Sequence, residues 1–172
     1  MNKHRYATVK KTQSLEVVDR RNMPFCIMDG GEVLRQRLCH RKTALLIRDT
    51  AGRALLAFRP ESDGFTFSSV ACVRAGQSYE TCARDALRDD WNLTGNRLLL
   101  LRIYPPCPEN QYAFTAIFEV RLQAARAEAI SHDPQHRLLL DYDELKGLSA
   151  HFSEIFTPFM RIAIQNGYVR PR

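Results

Sequence analysis

The 172-residue chain has no run of about eighteen apolar residues, so no helix in it is expected to cross a membrane. Its opening, MNKHRYATVKK, lacks the apolar stretch of a secretory signal, and the expectation is a soluble, unexported, cytoplasmic protein with no membrane partner. There is no CxxC pair. The cysteines, Cys26, Cys39, Cys72, Cys82 and Cys107, are odd in number and scattered, which argues against a disulfide framework and against a structural zinc site. Internal repeats and low-complexity stretches are also missing. Basic residues are not gathered into a run but spread from Lys3 to Arg172, so the net charge of +6 suits polyanions in general, and a nucleic-acid partner is not expected.

What is present is enough apolar material, 45% of the residues, to bury one continuous core, and a single domain over residues 14–168 is expected behind a flexible, basic N-terminus at residues 1–13. Residues 14–19 and 24–29 read as an opening hairpin around a turn at 20–23. Val33, Arg37 and Leu34, Leu38 fall at helical spacing, which predicts a short helix within 30–41. Strands are expected at 43–48 and 53–60, joined by the turn DTAG, with Pro60 as a stop. A further strand covers 65–73. Ser78 stands where a helix N-cap belongs, ahead of a helix from Tyr79 to about Asn92 that carries Cys82, Ala83, Ala86 and Leu87 as a buried stripe. Residues 97–104 and 111–122 are β-patterned around the loop PPCPEN. A helix begins near Asp141, and a last one is capped by Thr157, has Pro158 in its first turn and stops at Gly167. Phe65, Phe67, Phe114 and Phe118 recur at even spacing in strand-like stretches, where core packing is the more frequent role than base stacking.

The segment from Ala71 to Leu93, ACVRAGQSYETCARDALRDDWNL, together with this order of elements, resembles the Nudix family. The family pattern is G, five residues, E, seven residues, then R-E-U-x-E-E-x-G-U, with U a bulky aliphatic. The resemblance implies an α/β fold, a Nudix-type α/β/α sandwich with a mixed β-sheet in one domain. It also implies hydrolysis of a nucleoside diphosphate linked to another moiety, with Mg²⁺ or Mn²⁺ held by helix carboxylates. Residue by residue, the first Gly of the pattern falls on Ala71, its early Glu on Gln77, its Arg on Asp85 and its first helix Glu on Ala86. The aliphatic positions fall on Leu87 and Leu93, the paired glutamates on Asp89 and Asp90, and the second Gly on Asn92. Asp89 and Asp90 are therefore the candidate metal ligands, each one methylene shorter than Glu. Ala86 ligates nothing. Gln77 and Asp85 replace an ion pair that steadies the loop against the helix, and a hydrogen bond between them is the expected substitute.

EVVDRRNMPF and LCHRKTALLIRDTAGRALLAFRP are similar to the Nudix subgroup that contains isopentenyl diphosphate isomerase, through Leu38, His40, Arg41, Arg59 and the AGQS loop. Isomerase activity is not expected, because Ala71 and Val73 stand at that subgroup's Cys and His positions. Cys72 is one residue away, and a one-residue step in a strand points to the opposite face. It reads more naturally as a small core residue, and His40 as a structural hydrogen-bonding group. Asp85, Asp89 and Asp90 alternate with Arg84 and Arg88 as a solvated helix face often does. Glu61, Asp63, Glu109 and Glu119 are further carboxylates whose place in space the sequence leaves open.

Two functions follow. One is a divergent hydrolase using Mg²⁺ or Mn²⁺ at Asp89 and Asp90. The alternative is a non-catalytic protein of the same fold that binds a phosphorylated small molecule, a nucleotide or a protein partner without a cofactor. Arg41, Arg59, Arg74 and Gln77, with Arg102 as a further arginine, would then contact the ligand. A homodimer through Ile155, Phe156, Phe159, Ile162 and Ala163 is a third expectation, set against the plainer reading that this stripe faces its own core.

Overall fold

The computed structural model describes residues 13–133 and 135–171, so all but the last residue of the expected flexible N-terminus lies outside the described residues. Gln13 itself is tied down: its side-chain amide donates to the Cys72 carbonyl and its own carbonyl accepts from Gly30 N. β1 (Ser14–Val18) and β2 (Pro24–Asp29) form the expected antiparallel hairpin, a small sheet of its own. Leu15 and Val17 pack there against Val33 of α1 (Gly30–Arg35). That helix is shorter than the pattern predicted. Gln36 caps it, Arg37 turns into the left-handed region at φ 56°, and the chain leaves as a strand. The spacing of Val33 with Arg37 and of Leu34 with Leu38 runs past the end of the helix at Arg35, and spacing alone does not show where a helix stops.

The main sheet follows. β3 (His40–Asp49), β4 (Ala54–Arg59), β5 (Gly64–Thr66) and β6 (Ser69–Cys72) precede α2 (Tyr79–Trp91); β7 (Leu98–Tyr104), β8 (Ala113–Leu122), α3 (Ala124–Ile130), β9 (Arg137–Leu140), α4 (Tyr142–His151) and α5 (Pro158–Gln165) come after it. The strands run in the order β5-β4-β3-β8-β7, with β6 on β3 and β9 on β4. Among the described strands β3 and β8 pair in parallel, from His40–Ala113 to Asp49–Leu122, and the other strand pairs are antiparallel, so the sheet is mixed.

The expected single strand over 65–73 is two. β5 pairs with β4 while β6 pairs with β3, and the break at Phe67 and Ser68 lets one segment serve two neighbours. Ser68 fills the gap by accepting from Ile47 N at 2.8 Å and donating to the Leu55 carbonyl at 2.5 Å. Gly64 is required at the start of β5, since a Cβ there would lie 3.0 Å from Thr157 N and 3.1 Å from the Ile155 carbonyl. α3 and β9 occupy a stretch for which no element was assigned from the sequence.

Alternation along β3 divides the core in two. Ala44 and Leu46 face Leu145, Phe159, Met160, Ala163 and Ile164 of α4 and α5, while Leu45 and Ile47 face Ala83, Leu87 and Trp91 of α2 and Ala127 of α3. Helices on both faces of one mixed sheet make the α/β/α sandwich. Phe156, Phe159 and Ala163 are buried in the chain's own core, and Ile155 and Ile162 are half-buried, so the C-terminal stripe offers no free apolar face. Among the described residues no helix is long and apolar enough to cross a membrane.

Candidate functional site

α2 is capped as its sequence requires. The Ser78 hydroxyl accepts from Thr81 N, and Asn92 ends the helix in the left-handed conformation at φ 51°, with Leu93 N returning to the Leu87 carbonyl. Asn92 thus takes the left-handed C-cap at the position where the Nudix pattern has Gly. Gln77 Nε2 donates to Asp85 Oδ2 at 2.8 Å, the bond expected to replace an ion pair, and Gln77 Oε1 accepts from Arg74 N. The loop is clamped to the helix without a charge pair.

Beyond Asp85 the helix carboxylates are met by arginine. Arg88 spans Asp85 at 3.0 Å and Asp89 at 2.9 Å on an exposed face. Asp90 accepts from Arg59 of β4 at 2.9 Å and from the Ser69 hydroxyl of β6 at 2.6 Å. Ser69 Oγ in turn accepts from the Trp91 indole at 2.9 Å, which locks the hydroxyl's proton toward Asp90. A divalent ion needs several oxygen donors free to converge. Position 86 is alanine, Asp89 and Asp90 are each engaged by a guanidinium, and among the described residues no three His, Cys, Asp or Glu side chains come together. This donor set does not fit Mg²⁺ or Mn²⁺. Of the outlying carboxylates, Glu119 is buried in an ion pair with Arg48 at 3.0 Å, on the face of the sheet away from α2.

The expected ligand-binding arginines have different fates. Arg41 is held by Glu16 at 2.9 Å and by Asn22, and lies over the Tyr79 ring, 5.8 Å from its centroid. Glu16 also accepts from Gly76 N, so one carboxylate joins the hairpin, β3 and the loop before α2. Tyr79 OH reaches the Phe114 carbonyl, and burial foremost pushes its phenol upward in pKa. Arg59 is the partner of Asp90. Arg74, exposed beside Gly76 and Gln77, has no side-chain partner among the described residues. Arg102 sits elsewhere, stacked 4.1 Å over Tyr168 in a shallow groove of about 440 Å³ that Asn166 and Arg170 also line.

Ala71 lies opposite Thr43 and Cys72 opposite Lys42, so the two residues do face opposite sides of β6. Cys72 packs against the hairpin core of Leu15, Val17 and Val33, as a core residue would, and burial pushes its thiol up in pKa. His40 is fully buried. Its Nδ1 lies 2.9 Å from the Leu38 carbonyl and is therefore the protonated nitrogen, while Nε2 is buried with no partner among the described residues. Burial, and then the nearby Lys42, push its pKa from 6.5 down to about 4. Lys42 itself was not singled out from the sequence. It is buried, donates to Gln111 Oε1, and has its pKa lowered by desolvation. Its phase in β3, shared with Ala44 and Leu46, was the available signal.

No protein-family model and no curated protein matches the sequence. Solved structures do match by shape. DR0079 of Deinococcus radiodurans superposes with a TM-score of 0.72 over 91% of this chain and 99% of that one, at 18% identity. A MutT/Nudix family protein of Listeria innocua gives a TM-score of 0.58 over 76% of this chain and 90% of its own, at 12% identity. The likeness is one of fold, and the fold is that of Nudix proteins.

Proposed function

We propose that this protein uses the Nudix fold to bind a phosphorylated small molecule or nucleotide, with arginines in the place of metal ions. The observation that carries this reading is the capture of Asp90 by Arg59 and Ser69, together with that of Asp89 by Arg88. A guanidinium supplies the positive charge that a divalent ion would otherwise bring to α2, and it binds a phosphoryl group without an ion between them. Arg74, uncommitted at the mouth of the loop, makes the first contact with the ligand. Gln77 holds that loop. Arg59 and Arg41 sit in partly exposed pairs from which a phosphate can displace a carboxylate. The free thiols suit the reducing cytoplasm as the place of action.

Hydrolysis of a nucleoside diphosphate linked to another moiety is the second reading, favoured by the Gln77–Asp85 bond, which ties the loop to α2 where the Nudix pattern has an ion pair. Calorimetry with a panel of nucleoside diphosphate sugars, in chelator and in Mg²⁺, separates the two. The binding reading expects equal affinity in both buffers, no product, and a loss of about tenfold in affinity in Arg74→Ala. Product that forms only with Mg²⁺ or Mn²⁺, and not in Asp90→Ala, would transfer the protein to the hydrolases.

A further inference from the structure

β2 is an unguarded edge strand. β1 takes one of its sides, and among the described residues no strand takes the other. β1 is itself held on its far side by Val18 N on the Cys39 carbonyl and by the Leu15–Arg74 bridge, so in this two-stranded sheet β2 is the edge open to a newcomer among the described residues. Edge strands are usually guarded by charge, bulges or proline. Here residues 23–28 read MPFCIM, with no charge, and Pro24 removes a donor only at the first position. Phe25 and Ile27 share one face at 69% and 64% exposure, and Met23 beside them is 60% exposed.

We infer that a second copy of this chain docks on β2, antiparallel, about a two-fold axis through Cys26, to give a four-stranded sheet in the order β1-β2-β2-β1. Two features fix this occupant and its direction. Phe25 of each copy falls opposite Ile27 of the other, an aromatic and β-branched pair made twice on one face. The ends of β2 also differ in charge: among the described residues Arg20 and Arg21, next to Asp19, are exposed without an ion-pair partner at the turn, and Asp29 is exposed without one at the far end. Antiparallel pairing sets the basic end of each copy against the acidic end of the other, whereas parallel pairing sets like against like. A contact this narrow falls in the small, transient class of interfaces below about 1,200 Å², so the dimer is weak and concentration-dependent.

The register has a direct readout, because Cys26 is an exposed free thiol on the axis. Residues directly opposite in an antiparallel pair have Cα atoms about 4.5–5.5 Å apart, within the span of a disulfide. Sedimentation velocity from micromolar to near-millimolar protein should show a rising dimer fraction in the wild type. That fraction should fall to monomer in Phe25→Lys and in Ile27→Lys, whose unchanged circular dichroism and urea midpoint would show that the fold is kept. Diamide, a thiol oxidant, should trap the dimer through Cys26, and Cys26→Ser should remove the trapped species while leaving the sedimentation shift. A monomer at every concentration, a dimer that survives both lysine variants, or trapping through another cysteine would overturn the inference.

Discussion

His40 and Lys42 stand two residues apart on the same face of β3, both buried, and neither meets a carboxylate among the described residues. His40 folds as the neutral imidazole. Because its pKa falls from 6.5 to about 4, the unfolded chain binds the proton first as the solution is acidified. The stability from this residue is therefore fully present above pH 6.5 and is lost as pH falls toward 4, by an amount of about 3 kcal/mol. Urea midpoints measured across this window should drop more steeply for the wild type than for His40→Asn, whose amide nitrogen takes the place of Nδ1 against the Leu38 carbonyl but does not titrate. Lys42 carries the cost of a desolvated amine. Lys42→Met is expected to raise the urea midpoint at neutral pH, since half-buried Gln111 can turn to water. The sequence marked His40 as a structural hydrogen-bonding group, which it is. Lys42, between Arg41 and Thr43, drew no reading from the sequence, and the strand's period of two is what separates it from them.

α2 shows how closely an element can be read when its local signals agree. Ser78, Asn92 and the apolar stripe set its ends and its buried face, and the same local signals located α5 behind Thr157 and Pro158. What stayed hidden was tertiary. Arg59 reaches Asp90 across thirty-one residues of sequence, and Ser69 across twenty-one, pairings that no local pattern encodes. The split of β5 from β6 was hidden for the same reason: strand-like residues run through Phe67 and Ser68, and only the partners differ. Asp90 is best understood as a tie from α2 to β4 and β6. With Arg59 and Asp90 both about one-third exposed, solvent weakens the pair, and Asp90→Ala is expected to cost about 1 kcal/mol. Chemical denaturation with and without Mg²⁺ should give that loss in both buffers; a loss seen only with Mg²⁺ would mark Asp90 as a metal ligand.

At the scale of the whole molecule, the sandwich is drawn together by Arg48, whose guanidinium bonds Glu119 at 3.0 Å and the Gly52 and Val169 carbonyls at 2.7 Å. One buried side chain thereby joins β3, β8 and the C-terminal segment. Burial acts to raise the Glu119 pKa, but the bonds from Arg121 and Arg48 outweigh it and hold the carboxyl below its ordinary value. Arg48→Met leaves Glu119 without its buried partner and is expected to cost about 3–5 kcal/mol, read as a fall in the thermal midpoint. The same pairing of arginine with carboxylate recurs at the candidate site, where Arg59 and Arg88 meet Asp90 and Asp89 of α2, and the proposed function puts these guanidinium groups in the place of metal ions. Titration of Mn²⁺ into the wild-type protein, followed by the electron paramagnetic resonance of the free ion, tests this most directly. No ion should be taken up in stoichiometric amount by the wild type or by Asp90→Ala. One Mn²⁺ bound per chain at micromolar concentration, and lost in Asp90→Ala, would contradict it.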